Sequence, residues 1–305
     1  TGRLPAVSNA TAATMVAKIE NYETPVDPSY TGSALLLAEV LFPIDWNQGQ
    51  SIVQDGADIA EYLYLLAFNK PGFTVRKHYE NYTTHPGSLP EDAVSVIAAM
   101  NAGYDQVNDT GHGFRFNMSV GSGSVVNADA DALTNTNRFS NVFLLNCTAV
   151  AFTYFCLGEH FLLNPNGGAV SVIGASESVY PLISQPYMNE YYRLLFIEHV
   201  EHIGEAYARS KYPRTPVASL ANDNGDLWTH YVYNMLADPE MPVWTGHVVP
   251  LSVSYPSSVG LGTTQVAVHV GDASGPVAGA HVCLSKDEDD YEVGVTDAAG
   301  NVSLP

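Results

Sequence analysis

The sequence predicts an α/β domain with a mostly parallel sheet flanked by helices, followed by a small β-sandwich, and three observations predict it. Through the first two thirds of the chain, nearly unbroken apolar runs alternate with segments whose apolar residues recur at helical spacing. After Trp244 to Pro250 the texture changes to short runs that alternate apolar and polar residues between Gly, Pro and Asp turns. A chain of 305 residues with 46% hydrophobic content can bury a full core and is long enough for two domains of unequal size, placed here at 1–248 and 249–305.

Taken in order, "SNATAATMVAKIENYE" offers polar capping residues and then apolar Met15, Val16, Ile19 and Tyr22, an amphipathic helix that should pack on a sheet. "SALLLAEVLF" has the continuous apolarity of a parallel strand covered on both faces, and "DGADIAEYLYLLAF" follows with helical spacing. "FTVRKHY" reads as a short strand. "SLPEDAVSVIAAMNAG" reads as a helix with Pro near its first turn and Gly at its end. "GYDQVND" leads into a histidine and is unusually polar for a central strand. "SVGSGSVVNADADALTNTN" reads as a Gly/Ser loop, "NVFLLNC" as a strand, and "YFCLGEHFLLNP" as a helix. "GGAVSVIGAS" is the next strand, and "YMNEYYRLLFIEHVEHIGEAYARS" reads as one long helix. "LSVSYP", "TQVAVHV", "AHVCLS" and "YEVGVTDAAGNVSLP" supply the sandwich, which is expected to continue beyond Pro305.

The charge balance of 12 Lys and Arg against 32 Asp and Glu gives a formal net charge of -20. Such a surface repels nucleic acid and anionic membrane and favours cations, calcium included. Only 14% of residues are charged and five are Lys, so the acid excess sits in a Ser/Thr/Asn/Gly-rich surface that suits a secreted or cell-surface protein. Three cysteines cannot all pair with one another, which leaves at least one thiol to explain. No run of 18 apolar residues is present to span a membrane, and "TGRLPAVSNA" has neither the basic start nor the apolar middle of a signal peptide. No spacing fits zinc, because His78, His160, His199 and His202 lack a companion pattern. "GSGS" is not followed by the Lys that a phosphate loop needs. His199 and His202, three apart on the long helix, are expected on its solvated face.

Two reactive side chains fall where strands should end: His112 in "NDTGHGFRF" and Cys147 in "NVFLLNCTAV". In an open parallel sheet, ligands bind outside the carboxyl ends of the strands, so the two placements are mutually consistent. A histidine within hydrogen-bond reach of a thiol serves as its general base and later protonates the departing amine. Glycine on both sides of His112 lets backbone approach a substrate closely, and the N–H groups of Gly113 and Cys147 can face a developing oxyanion. Each residue also has a bland reading, as a turn and as an inert core thiol.

The residues "NDTGHG", "LLNCTAVAF", "CLGEHFLLNPNGGAVSVIGAS" and "ADPEMPVWTG", with the opening "TGRLP" and "KIENYETP", resemble the gingipain family of cysteine peptidases in order across residues 1 to about 248. The resemblance implies a caspase-like fold followed by an immunoglobulin-like domain, and a secreted endopeptidase acting on proteins or peptides through a thioester acyl-enzyme. It implies Cys147 as nucleophile, His112 as base, and Gly113 with Cys147 as oxyanion hole. It also implies an acid near the end of an earlier strand to orient the histidine, which here is Glu39, with Asp45 as runner-up. An upstream subdomain and a propeptide are expected before "TGRLP". No cofactor is expected for catalysis, calcium being considered only as a structural ion.

The strand "AVSVIGAS" should end beside the nucleophile, so Ser176, Glu177 and Tyr180 are expected to line the pocket for the residue before the cut. An acid there would select Arg or Lys, and Asp45, Asp55 and Asp58 stand in the segment after the first strand without a one-to-one match. "NADADAL" with Asp129 and Asp131, and "NDNGDL" with Asp223 and Asp226, are candidate calcium sites or helix caps. Cys156 and Cys283 are expected to be core residues. Phe114, Arg115 and Phe116 are bulky where a small, open segment would ease substrate entry. Two alternatives use the same residues differently: a transpeptidase passing the acyl group to an amine, and an idle binding or adhesion module in which the sandwich is the working part.

Overall fold

The structure, a computed structural model, describes residues 1–219, 225–286 and 290–305. The chain divides into two compact units, Thr1–His247 and Val248–Pro305. In chain order the first unit contains α1 (Asn9–Glu23), β1 (Ser33–Ala38), the short hairpin β2 (Val40–Phe42) and β3 (Gln54–Asp55), α2 (Gly56–Leu63), β4 (Thr74–Tyr79), β5 (Leu89–Pro90) and α3 (Ala93–Ala102). It continues with β6 (Gln106–Thr110), β7 (Gly113–Phe114), β8 (Asn117–Ser119), β9 (Ser124–Val126), α4 (Asn127–Ala132), β10 (Ser140–Leu145), α5 (Leu157–Leu163) and β11 (Ala169–Ala175). It closes with α6 (Pro181–Phe196), α7 (Ile203–Arg209), α8 (Thr215–Ala218), α9 (Gly225–Val232) and β12 (Tyr233–Leu236). The seven-stranded sheet runs β12-β11-β10-β6-β1-β4-β5, parallel except where β12 runs against β11.

The apolar runs become the central strands because both of their faces are covered. Leu35 and Leu37 of β1 pack on one side with Val96 of α3 and Phe161 of α5, while Ala34, Leu36 and Ala38 pack on the other with α2 and α6. β6 is polar and yet wholly buried between β1 and β10. Two of its polar side chains reach partners distant in the chain. Asn108 Nδ2 donates to the Phe143 carbonyl, and Asp109 accepts from Asn146. At the strand's foot, Asp105 accepts from Tyr22 and Asn141.

Several elements depart from the sequence expectation. The Gly/Ser stretch holds β9 and α4, because Asn117, Met118 and Ser119 of β8 pair across to residues 124–126. The single long helix is two, α6 and α7. Residues 201–204 bond instead to 239–243, through Val243 N–H to the Glu201 carbonyl, Ile203 N–H to Met241 and Gly204 N–H to Pro239, and His199 adopts a φ of 55° in the break. His199 and His202 therefore lie in the turn between the helices and share no helical face. Pro90 stands ahead of α3, in β5, and Asp92 is that helix's N-cap.

In α1 the buried face takes Met15, Ile19 and Tyr22 as expected, but Val16 is exposed and Lys18 is buried in its place. The Lys18 ammonium donates toward the carbonyls of Phe161, Leu162, Asn164 and Gly167 at 2.8 to 3.2 Å, closing the C-terminal end of α5. Burial pushes this amine down to about 7, while four oxygens that can only accept act in the opposite direction. Lys18→Met keeps the stem and strands those carbonyls, so unfolding in urea is expected to show a loss of about 2 kcal/mol.

The second unit contains β13 (Ser252–Ser254), β14 (Val266–Asp272), β15 (Gly275–Pro276), β16 (His281–Lys286), β17 (Asp290–Val295) and β18 (Asn301–Leu304). All its pairings are antiparallel, with β13, β15 and β18 on β14, and β16 with β17. Cys283 is exposed on the two-stranded β16–β17 ribbon, contrary to the expected core position. Among the described residues no helix is long and apolar enough to cross a membrane.

Candidate active site

β6 and β10 lie side by side with Thr110 opposite Leu145, and Gly111 N–H donates to the Leu145 carbonyl, so the two chains leave the sheet in step. His112 and Cys147 each follow two residues later, at the carboxyl edge where a parallel sheet presents its ligands. Ser119 N–H donates to the His112 carbonyl, which makes His112 the root of the β7–β8 hairpin.

The imidazole is held through main chain. His112 Nε2 lies 2.9 Å from the Leu41 carbonyl oxygen, with the Phe42 ring edge-on at 6.0 Å. A carbonyl only accepts, so Nε2 carries the proton and Nδ1 of the neutral ring keeps its lone pair. No hydrogen bond joins Glu39 to the ring. Its carboxylate accepts from the backbone N–H of His112 at 2.7 Å, from Ser119 Oγ at 2.6 Å and from Gly121 N–H at 3.1 Å. The acid therefore fixes the loop that carries the histidine, and Leu41 does the orienting expected of Glu39. Burial raises the Glu39 carboxyl, against the lowering effect of these three donors. A Cβ on Gly111 would stand 2.8 Å from Glu39 Oε2, which is why glycine precedes the histidine.

On the neighbouring strand, the residue after Cys147 is turned sharply: Thr148 has a φ of 55°, a costly conformation for a β-branched side chain. Thr148 N–H donates to the Glu177 carbonyl at 3.3 Å, and Val179 N–H approaches Cys147 Sγ at 3.4 Å. Among the described residues no hydrogen bond joins the thiol to the imidazole. Asn146 Nδ2 donates to Asp109 Oδ2 at 2.7 Å, tying the cysteine strand to the histidine strand, and a Cβ on Gly113 would come within 2.8 Å of Asn146 Cγ. Gly113 is thus packed directly against the residue before the cysteine. Burial holds the Asp109 carboxyl well above its usual range.

The other predicted residues divide. Glu177 and Tyr180 lie on the segment that leaves β11, both exposed, with the Glu177 carbonyl accepting from Thr148 N–H. Ser176 belongs to that segment, but its hydroxyl is bonded to the Val232 carbonyl and to Asn234. Asp55 is committed elsewhere, capping α2 through Ala57 N–H and accepting from Asn81. Asp45 is exposed and lines a cavity of about 560 Å³ with Glu80, Asp92 and Gly121, the glycine whose N–H binds Glu39. Asp129 accepts Val126 N–H at the start of α4, Asp131 accepts from His160, and Asp226 pairs with Arg214. Asp223 lies outside the described residues. Among the described residues no three His, Cys, Asp or Glu side chains converge as a metal site would. Cys156 is buried at the start of α5, and burial pushes its thiol up to about 11.

Leu41, Asn146 and Val179 carried no signal in the sequence, since each acts through backbone or through a partner distant in the chain. Asp109 did carry one, as a carboxylate in a strand that had to be buried.

The strand-end cysteine and histidine stand at matched register on the parallel sheet, and the family match shows the class, a cysteine peptidase. Residues 1–244 match the family model Peptidase_C25, described as peptidase family C25, and the chain belongs to that family. Among solved structures it is similar to the Arg specific cysteine proteinase gingipain R (RgpB), with a TM-score of 0.76 and 19% identity over 99% of this chain and 67% of that one. It is also similar to a complex of the Porphyromonas gingivalis RgpB pro- and mature domains, with a TM-score of 0.76 and 20% identity over 99% and 69% of the two chains. A structure described only as a protease matches with a TM-score of 0.72 and 18% identity over 98% and 66%. The chain thus spans about two thirds of the length of these neighbours. No curated protein matches it significantly.

Proposed function

We propose that this cysteine peptidase cleaves polypeptides outside the cell with Cys147 as nucleophile and His112 as general base. The observation that carries the reading is the Nε2–H to Leu41 bond, which assigns the free lone pair to Nδ1 and leaves that atom to take the thiol proton. The sulfur then attacks the peptide carbonyl carbon, and the oxygen gains its negative charge beside the N–H groups of Gly113 and Cys147. His112 returns the proton to the departing amine as the C–N bond breaks, which leaves a thioester on Cys147. Water, deprotonated by His112, attacks the thioester carbonyl, and release of the thiolate gives the acid product and restores the pair. Separation of thiol and imidazole before substrate enters is compatible with this course, because catalytic hydrogen bonds commonly tighten only in the complex.

Acceptance of a basic side chain, in keeping with the arginine specificity of the structural neighbour, is supported by the acidic side chains Asp45, Glu80 and Asp92 around one cavity, whose lining includes neither His112 nor Cys147. The pro-domain complex of another neighbour supports an upstream segment as partner. Secretion is supported by the net charge of -20 with only five lysines. The decisive experiment incubates wild type and Cys147→Ala with a mixed peptide library and reads the ends by mass spectrometry. Cleavage by the wild type that vanishes in the variant is expected; cleavage that survives in Cys147→Ala would overturn the assignment.

A further inference from the structure

The segments leaving both catalytic residues meet in a cluster of exposed aromatic rings around one arginine. Phe114, Phe116 and Tyr154 are each 43 to 50% exposed, on the β7–β8 hairpin and on the stretch that follows Cys147. The Arg115 guanidinium lies 3.9 Å from the Tyr154 ring centroid and 5.1 Å from that of Phe114, and the Arg115 carbonyl accepts Leu157 N–H at 2.8 Å. The hairpin is thereby tied to the stretch after Cys147, with the cation three residues beyond His112 in the chain.

Stacking uses the face of a guanidinium and leaves its in-plane N–H groups to bond an acceptor. Arg138, Arg193, Arg209 and Arg214 all have a carboxylate partner, whereas Arg3 lies over the Phe152 ring and Arg76 donates to His78. Arg115 has no carboxylate or carbonyl oxygen bonded to it among the described residues, in a chain with 32 acidic side chains. Its two ring contacts hold it in place, so little rotamer freedom is lost when an anion binds. A field of -20 over the whole surface repels acidic peptides, and a cation on the hairpin rooted at His112 offsets that repulsion locally.

We propose that Arg115, stacked on Tyr154 and Phe114, forms a subsite that binds an Asp or Glu side chain of the peptide substrate close to the scissile bond. The inference rests on the peptidase reading and adds to it a preference that the reading does not contain. Charge-assisted bonds of this kind, partly exposed to solvent, correspond to a selectivity on the order of 10-fold.

The test compares kcat/KM for matched peptides bearing Glu or Gln at each position around the cleaved bond. At one position the Glu/Gln ratio is expected to reach ~10 for wild type and to fall as salt rises. In Arg115→Gln it should drop to about 1, with an intermediate value in Arg115→Lys, which keeps the charge but not the fork. The wild-type ratio and its salt dependence stand even where a variant fails to fold. A wild-type ratio near 1 at every position, or a ratio that Arg115→Gln leaves intact, overturns the subsite while the peptidase reading survives. Absence of any cleavage that depends on Cys147 overturns the peptidase reading itself.

Discussion

Alanine at His112 is expected to remove cleavage almost as completely as alanine at Cys147, each by about 10⁴-fold or more in kcat, and the double variant should lose no more than the worse single one. The reason is chemical. A neutral thiol is a poor nucleophile, so without an acceptor for its proton the sulfur contributes little, and without the sulfur the imidazole has nothing to activate. The Leu41 carbonyl holds the ring with Nδ1 as the basic atom, and that holding has no purpose once the thiol is gone. The same coupling can be read without substrate, as the rate at which iodoacetamide alkylates the protein. Wild-type labelling at Cys147 should be rapid, and His112→Ala should slow it markedly. Losses that multiply in the double variant, or alkylation indifferent to His112, would mean that the two residues work apart.

How much of this was legible in the sequence depended on whether a residue's role is local. "SALLLA", "NVFLL" and "AVSVIGA" are apolar on both faces, and only a covered strand tolerates that, so three central strands could be placed from the sequence. The positions of His112 and Cys147 followed from where those runs stop. Distant partners were invisible. Apolar spacing continues through Val200 and Ile203, and nothing in it announces that residues 239–243 capture the backbone and break the helix. Lys18 reads as a solvated helix residue until four carbonyls from residues 161–167 surround it. Glu39 is legible as an acid near the histidine, but its role is not. Strand order alone brings that acid close, while the choice between ring and main chain depends on how the 119–121 turn folds over it.

Replacing Asp105 by asparagine is expected to stabilise the protein, and to do so only above acidic pH. Asp105 is fully buried at the foot of β6, at the opposite end of the sheet from the active site, where Oδ1 accepts from the Tyr22 hydroxyl and from Asn141 Nδ2 and the Gln106 side chain also acts on the carboxyl. Burial pushes its carboxyl up to about 7, from an ordinary 3.8. Between those two values the folded chain holds a proton that the unfolded chain has released, so stability falls as pH rises through the window, and above it the penalty is present in full. At ~1.4 kcal/mol per unit, the penalty approaches about 4 kcal/mol. The amide introduced by Asp105→Asn would keep an oxygen for Tyr22 and cannot ionise. Urea unfolding of wild type and Asp105→Asn should therefore nearly coincide at pH 4 and separate progressively to pH 8, with the variant the more stable. A constant gap across that range would mean that Asp105 does not titrate there; a variant weaker at pH 8 would mean that the ionised carboxylate is stabilising. Because the carboxyl lies at the far end of the strands, the variant should also leave the pH profile of peptide cleavage where it was, which separates the stability of the frame from the chemistry it carries.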